Sequence, residues 1–183
     1  VSLVDITERK KSESLVWQQA NFDGLTQIAN RNRLFDRIKQ EIIQVQRGGA
    51  PFALLFIDLD GFKPINDNYG HSSGDVLLIE LTRRLKGCIR ASDMLGRYGG
   101  DEFCMACLLD DKVDADQRTH YIHLASQQPM VKLGHQVKQI RTTIGVFVSN
   151  PGDELHAESL LQKADAALLV GKEAGKGGVF GLD

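Results

Sequence analysis

Apolar positions along this chain recur at two periods, three-to-four and one-to-two residues, and their alternation sets out the elements. From Asn30 the period is helical: Leu34, Phe35, Ile38, Ile42 and Ile43 share a face, and Gly48-Gly49 closes the helix. Pro51 then opens a strand from Phe52 to Leu59, apolar throughout to Ile57, the pattern of a central strand buried on both sides. A short helix with Pro64 in its first turn follows, then a longer one over about Gly74 to Ile89 with Leu77, Leu78, Leu81 and Leu85 in phase. Met94 to Arg97 and Glu102 to Leu109 are predicted as strands joined by a tight Gly99-Gly100 hairpin. A helix over Asp114 to Ser126, a strand over Ile140 to Val148 and a helix over His156 to Lys172 complete the chain.

This order contains the β-α-β-β-α-β arrangement of ferredoxin-like folds, so the expected class is α+β, a palm-type central antiparallel sheet flanked by helices. Residues 1–22 differ from the rest. Val1 and Leu3 alternate briefly before a charged stretch, Thr7 to Glu13, that suits an exposed helix, with Asp5 and Glu8 spaced as a capping box.

Composition narrows the possibilities. A chain of 183 residues with 42% hydrophobic content supports one domain with a substantial core. Its net charge of -2 offers no footprint for a nucleic acid polymer. No apolar run approaches the roughly 18 residues of a membrane helix, so no membrane contact is expected of this piece. Three cysteines without a secretory leader point to a reducing, cytoplasmic setting. Cys104 and Cys107 stand three apart on a predicted strand and so on opposite faces, which makes them core residues rather than a metal or disulfide pair. The chain begins at Val1 without a methionine and is expected to be part of a longer protein.

Two acidic groups carry the candidate chemistry. Asp58 and Asp60 stand where the first core strand ends, and Asp101-Glu102 follow the glycine pair of the hairpin. If the two strands are neighbours, these carboxylates share a small volume, where like charges repel unless a cation neutralises them. Hard oxygen donors favour magnesium or manganese. Taken singly, each aspartate is equally a helix cap or a turn residue. Gly99 and Gly100 permit a turn that residues with side chains avoid and let a phosphate approach the backbone.

Taken together, the motifs resemble a known family. Arg97-Tyr98-Gly99-Gly100-Asp101-Glu102-Phe103 is similar to the naming motif of the GGDEF diguanylate cyclases. The segment from Asp58-Leu59-Asp60-Gly61-Phe62-Lys63 through Asn66-Asp67, Tyr69-Gly70-His71 and Gly74-Asp75 resembles the family's nucleotide-binding segment. Asp23-Gly24-Leu25-Thr26 with Asn30-Arg31 resembles its opening motif, and Ala164-Asp165 with Lys172 its closing one, so the resemblance covers about Asp23 to Phe180. It implies condensation of two GTP into cyclic di-GMP with release of two pyrophosphates. It further implies two Mg2+ or Mn2+ ions per active site held by Asp58, the Leu59 carbonyl and Asp101, with Glu102 in a supporting catalytic role. Phe62 and Lys63 would meet phosphate through backbone N–H groups, Lys63, Lys172 and Lys176 would surround the triphosphate, and Asn66 and Asp75 would read guanine. Arg90 and Asp93 match the family's inhibitory R-x-x-D site, where product feeds back.

One such site holds one GTP, so catalysis is expected to need a homodimer. Asp5 to Lys10 resembles the closing segment of PAS sensor domains, which divides the chain into a PAS-exit segment and signalling helix (1–22) and a catalytic domain (23–183) of a bacterial protein. Departures fall at Gln27 for a usual glycine, Leu169 for tyrosine, Gly171 for alanine, Lys176 for arginine and Gly177 for asparagine. They put triphosphate grip and packing around Lys172 in question. The alternative is a catalytically silent module that binds GTP or cyclic di-GMP and regulates a fused domain such as an EAL phosphodiesterase; degraded motif residues would mark it, and none is degraded here.

Overall fold

The apolar run after Pro51 forms strand β1 (Phe52–Asp60), which lies at the centre of the main sheet, as a strand buried on both faces must. The computed structural model describes residues 2–110, 112–127, 131–133, 135–139, 141–150 and 152–181. Helices α1 (Leu3–Asn21) and α2 (Arg31–Gln46) precede β1. After it come α3 (Phe62–Tyr69), α4 (His71–Lys86), β2 (Met94–Arg97), β3 (Glu102–Leu108) and α5 (Lys112–Gln127). The chain continues through β4 (Val131–Leu133), β5 (Gln136–Lys138), β6 (Arg141–Val148), α6 (Ala157–Glu173) and β7 (Val179–Phe180).

The sheet runs β2-β3-β1-β6-β7. Its first four strands are antiparallel, whereas β7 pairs parallel to β6, so the palm-like sheet is mixed at one edge rather than wholly antiparallel. Alternation along β1 divides the core into two layers. Ala53, Leu55, Ile57 and Leu59 pack with Leu77, Leu81 and Ile122 of α4 and α5. Phe52, Leu54 and Phe56 pack with Leu34 and Ile38 of α2 and Leu160 and Leu168 of α6. Asp58 continues that second series and therefore faces the α2/α6 side. Cys107 and Cys104 fall in opposite layers, both free and buried. Burial pushes the Cys107 thiol up to about 12, so it is inert as a thiolate.

Several boundaries differ from the periodicity reading. Helix α4 starts at His71, three residues earlier, because its first turn is polar and carries no apolar period; His71 itself is exposed. Helix α1 starts at Leu3, where an extended segment was expected, and Ser2 with Asp5 forms its capping box in place of Asp5 with Glu8. Val1 and Ile140 lie outside the described residues. The short β4–β5 hairpin and β7 were not anticipated.

Three departures from the family pattern acquire a structural account. A Cβ on Gly171 would fall 2.2 Å from the Phe180 ring, so the ring of β7 requires glycine there. Gly177 has φ +71, a conformation that asparagine and glycine both adopt. Gln27, at φ +59, carries left-handed strain that a glycine would not, offset in part by its amide donating to the Gly24 carbonyl at 2.8 Å.

Candidate active site

Register brings the two acidic groups together. Asp58 on β1 sits opposite Glu102 on β3 and Thr143 on β6, and the Leu59 N–H donates to the Asp101 carbonyl at 3.3 Å. Asp58 is only 6% exposed, and its Oδ2 lies 2.7 Å from the Lys172 ammonium on α6. Burial pushes the Asp58 carboxyl up to about 6; Lys172 pulls it back, and the charges of Asp101 and Glu102 add to the rise. Glu102 is raised by burial and by Asp101 and Asp165. Lys172 is held protonated because its bond to Asp58 and the three nearby carboxylates outweigh desolvation.

This is an oxygen-donor set with excess negative charge, and a cation already rests against its most buried member. Asp58, Asp101 and the Leu59 carbonyl therefore fit hard divalent ions in chemistry and charge. Among the described residues no group of three or more His, Cys, Asp or Glu side chains is arranged for a metal.

The glycine pair of the hairpin works differently from the expectation. Neither glycine takes a positive φ. A Cβ on Gly99 would fall 2.6 Å from a Glu102 carboxylate oxygen, a contact the flexible Glu102 side chain could relieve by moving, whereas Gly100 faces open space. The hairpin is clamped by Arg97, which donates to the Gly100 carbonyl at 2.7 and 3.1 Å and reaches Asp23 at 3.2 Å. Burial alone would raise the Asp23 carboxyl, but bonds from Thr26 and the charge of Arg97 hold it below the usual range. The opening motif just after α1 thus anchors the hairpin tip.

The proposed base-reading residues meet at the α3/α4 corner. Asn66 Oδ1 is the buried side-chain polar atom without a partner among the described residues, and a Cβ on Gly74 would collide with it at 1.9 Å. Asp75, next to Gly74, is exposed. Helix α3 starts from Gly61 at φ +76 with no side-chain cap, leaving the Phe62 and Lys63 N–H groups for an anion. Lys63 and Lys176 are exposed, and Lys176 has φ +67. On the α2/α6 face, a cleft of about 610 Å³ is floored by Phe56 and Tyr98 and bordered by Arg31, Glu102 and Asp165.

Asp93 is not free to accept from a base. Its carboxylate is buried, takes a bidentate bond from Arg118 on α5 and accepts from the Arg90 N–H at 2.7 Å. The Arg90 guanidinium reaches Asp114 at 3.2 Å. Arg118 was missed in the sequence because nothing marks it in a weakly patterned stretch; a cavity of about 260 Å³ collects it with Arg90, Cys88 and Tyr121.

A palm-like sheet brings carboxylates at a strand end and at a neighbouring hairpin together beside an uncapped helix start, a setting whose chemistry suits a hard cation and an anionic ligand. The chain belongs to the GGDEF family: the model described as diguanylate cyclase, GGDEF domain, matches residues 20–178. Cyclases of this family depend on metal ions. The chain is 40% identical over 161 residues to the bifunctional diguanylate cyclase/cyclic di-GMP phosphodiesterase MucR of Pseudomonas aeruginosa, covering 88% of this chain and 23% of that protein. It is 34% identical to the probable diguanylate cyclase DgcC of Escherichia coli K12, covering 84% of this chain and 41% of DgcC. The crystal structure of the coiled coil and GGDEF domain of DgcB from Caulobacter crescentus, in complex with c-di-GMP, superposes with a TM-score of 0.87 at 25% identity, over 97% of this chain and 93% of that one. The chain thus spans between about a fifth and two fifths of the curated relatives' length. No helix among the described residues is long and apolar enough to cross a membrane.

A carboxyl raised to about 6 takes a divalent cation only after losing its proton, so a cation held by Asp58 would compete with protons. Turnover at subsaturating magnesium should fall as pH drops below about 6 and recover when magnesium is raised. The sign for stability is opposite. With its folded pKa raised, Asp58 favours the fold at low pH, and that contribution is lost as pH rises through about 6 in metal-free protein. A magnesium titration of initial rate at several pH values checks this; equal magnesium dependence throughout would contradict it.

Proposed function

We propose that this chain condenses two GTP into one cyclic di-GMP, releasing two pyrophosphates. The observation that carries the reading is the juxtaposition of Asp58, Leu59, Asp101 and Glu102 with Lys172 on α6 and the free N–H groups of α3. Asp58, the Leu59 carbonyl and Asp101 would hold two magnesium or manganese ions, whose charge polarises the α-phosphate and acidifies the attacking hydroxyl.

The remaining work falls to the chain itself. The Phe62 and Lys63 N–H groups donate to phosphate oxygens at the start of α3, while Lys63, Lys172 and Lys176 neutralise the triphosphate. Lys172 starts on Asp58 and transfers its charge to the arriving phosphates. Asn66 and Asp75 select guanine, because Asp75 accepts from N1–H and N2–H, which adenine lacks at N1. Asp101 takes up the 3′-hydroxyl proton, and Glu102 supports the hairpin under Gly99. Each 3′-oxygen forms a bond to the other nucleotide's α-phosphorus as the bond to pyrophosphate breaks.

Both half-reactions need two domains face to face. Helix α1, which buries no residue and exposes Leu3, Val4, Leu15, Val16 and Trp17, is the dimerising and signalling element of the 1–22 segment, leading from an upstream sensor into the 23–183 catalytic domain. The setting is the bacterial cytoplasm.

Product binds at the R-x-x-D loop as a feedback inhibitor. Arg90 offers its guanidinium there from beside Asp114, while Asp93 fixes the loop by accepting from the Arg90 backbone N–H and holding Arg118. Arg90→Ala should abolish inhibition by added cyclic di-GMP with the uninhibited rate preserved; equal inhibition in mutant and wild type would reduce Arg90 to a partner of Asp114. The activity itself is tested by incubating concentrated protein with GTP and magnesium and resolving nucleotide products by chromatography. A rate per molecule that rises with protein concentration supports the dimer; a rate per molecule independent of dilution sinks it.

A further inference from the structure

Asp60 belongs to the acidic pair at the end of β1, yet it takes no part in the carboxylate cluster. Both of its oxygens lie 2.9 Å from the Thr143 hydroxyl on β6. Thr143 is fully buried, and the same hydroxyl oxygen receives the Gly177 N–H at 3.0 Å. Its single proton is committed to Asp60, so its lone pairs face Gly177.

Gly177 belongs to the loop that follows α6. Gly175, Lys176 and Gly177 have φ values of +117, +67 and +71, three successive residues in left-handed or neighbouring conformations. Such a backbone persists only where its surroundings hold it. Two bonds tie the loop to β6: the Gly178 carbonyl accepts from the Ile144 N–H at 2.9 Å, and Gly177 donates to Thr143. A third, from the Lys176 N–H to the Gly171 carbonyl at 3.0 Å, ties it back to α6. Only the Thr143 bond depends on a side chain.

On the other side, Asp60 lies between Leu59, whose carbonyl is the proposed cation donor, and Gly61, from which α3 starts with no side-chain cap on its N–H groups. One residue therefore joins the two walls between which a triphosphate would lie.

We infer that Asp60 and Thr143 form a positioning relay, Asp60 carboxylate to Thr143 hydroxyl to Gly177 N–H, that sets the loop after α6, which carries Lys176, against the start of α3 and so fixes the grip on the triphosphate of GTP. The inference rests on the proposed GTP site. It accounts for an aspartate two residues beyond Asp58 whose carboxylate is turned to Thr143, and for how the loop keeps its shape with glycine at 177, where no side chain is present to anchor it.

The test separates phosphate grip from base reading. Thr143→Val keeps the shape of the side chain and removes the hydroxyl; Thr143→Ser retains it. For Thr143→Val the KM for GTP should rise about tenfold, the loss of one buried hydrogen-bonded link, with a smaller change in kcat. The inhibition constant of guanosine, which has no phosphates, should stay unchanged, and Thr143→Ser should restore the KM. Asp60→Ala should reproduce the split, which keeps the test available if Thr143→Val does not fold. An unchanged KM in Thr143→Val, or equal weakening of GTP and guanosine, would overturn the relay. If the wild type makes no cyclic di-GMP, the proposed function fails instead, and calorimetric binding of GTP against guanosine in the same variants still decides the relay.

Discussion

Replacing Asp101 by alanine should lower cyclic di-GMP formation on the order of 10³-fold or more, the scale on which removal of a group that stabilises transition-state charge is felt. Asp101 stands at the hairpin tip, its carbonyl bonded to the Leu59 N–H and its charge felt by the buried Asp58 carboxyl. On the proposed reading, losing it removes a cation ligand and a proton acceptor together. The proposed guanine readers Asn66 and Asp75 lie on α3 and α4 and are untouched by the change, so GTP affinity should fall far less than the rate. Steady-state kinetics with a direct GTP binding measurement separates the two; an unimpaired rate would remove Asp101 from the chemistry.

Asp75→Ala should collapse discrimination between GTP and ATP by about 10²-fold or more, since a site built to accept base N–H groups rejects a base that lacks them far more strongly than an apolar site could. Asp75 is exposed next to Gly74, and Asn66 Oδ1 rests unpartnered against that glycine. Competition between the two nucleotides for turnover reads the effect; an unchanged ratio would place base recognition elsewhere.

Much of this arrangement was legible in the chain. The run Phe52 to Ile57 reads as a central strand because burial on both faces erases alternation, and this alone placed Asp58 at a strand end. Continuity of the glycine pair with flanking apolar strands located the hairpin, and register then followed, with Asp58 opposite Glu102. Features that depend on distant partners were not legible. Asp93 looked available for a base, but Arg118, 25 residues later, occupies it. Lys172 matched a phosphate-binding position, while its contact with Asp58 needed the fold. Asp60 resembled Asp58 in sequence, yet Asp58 is buried against Lys172 while Asp60 takes the hydroxyl of Thr143, 83 residues away. The β4–β5 hairpin and β7 were missed because strands of three, three and two residues are too short to show a period. The glycine pair was expected to take a turn closed to other residues, but neither Gly99 nor Gly100 has a positive φ.

The most direct test of the central claim is the stoichiometry of a single reaction containing this chain, GTP and magnesium, followed by chromatography for nucleotides and a coupled assay for pyrophosphate. Consumption of two GTP with appearance of one cyclic di-GMP and two pyrophosphates is the predicted result. Tight GTP binding with no cyclic di-GMP and no pyrophosphate would contradict it and identify the chain as a binding module.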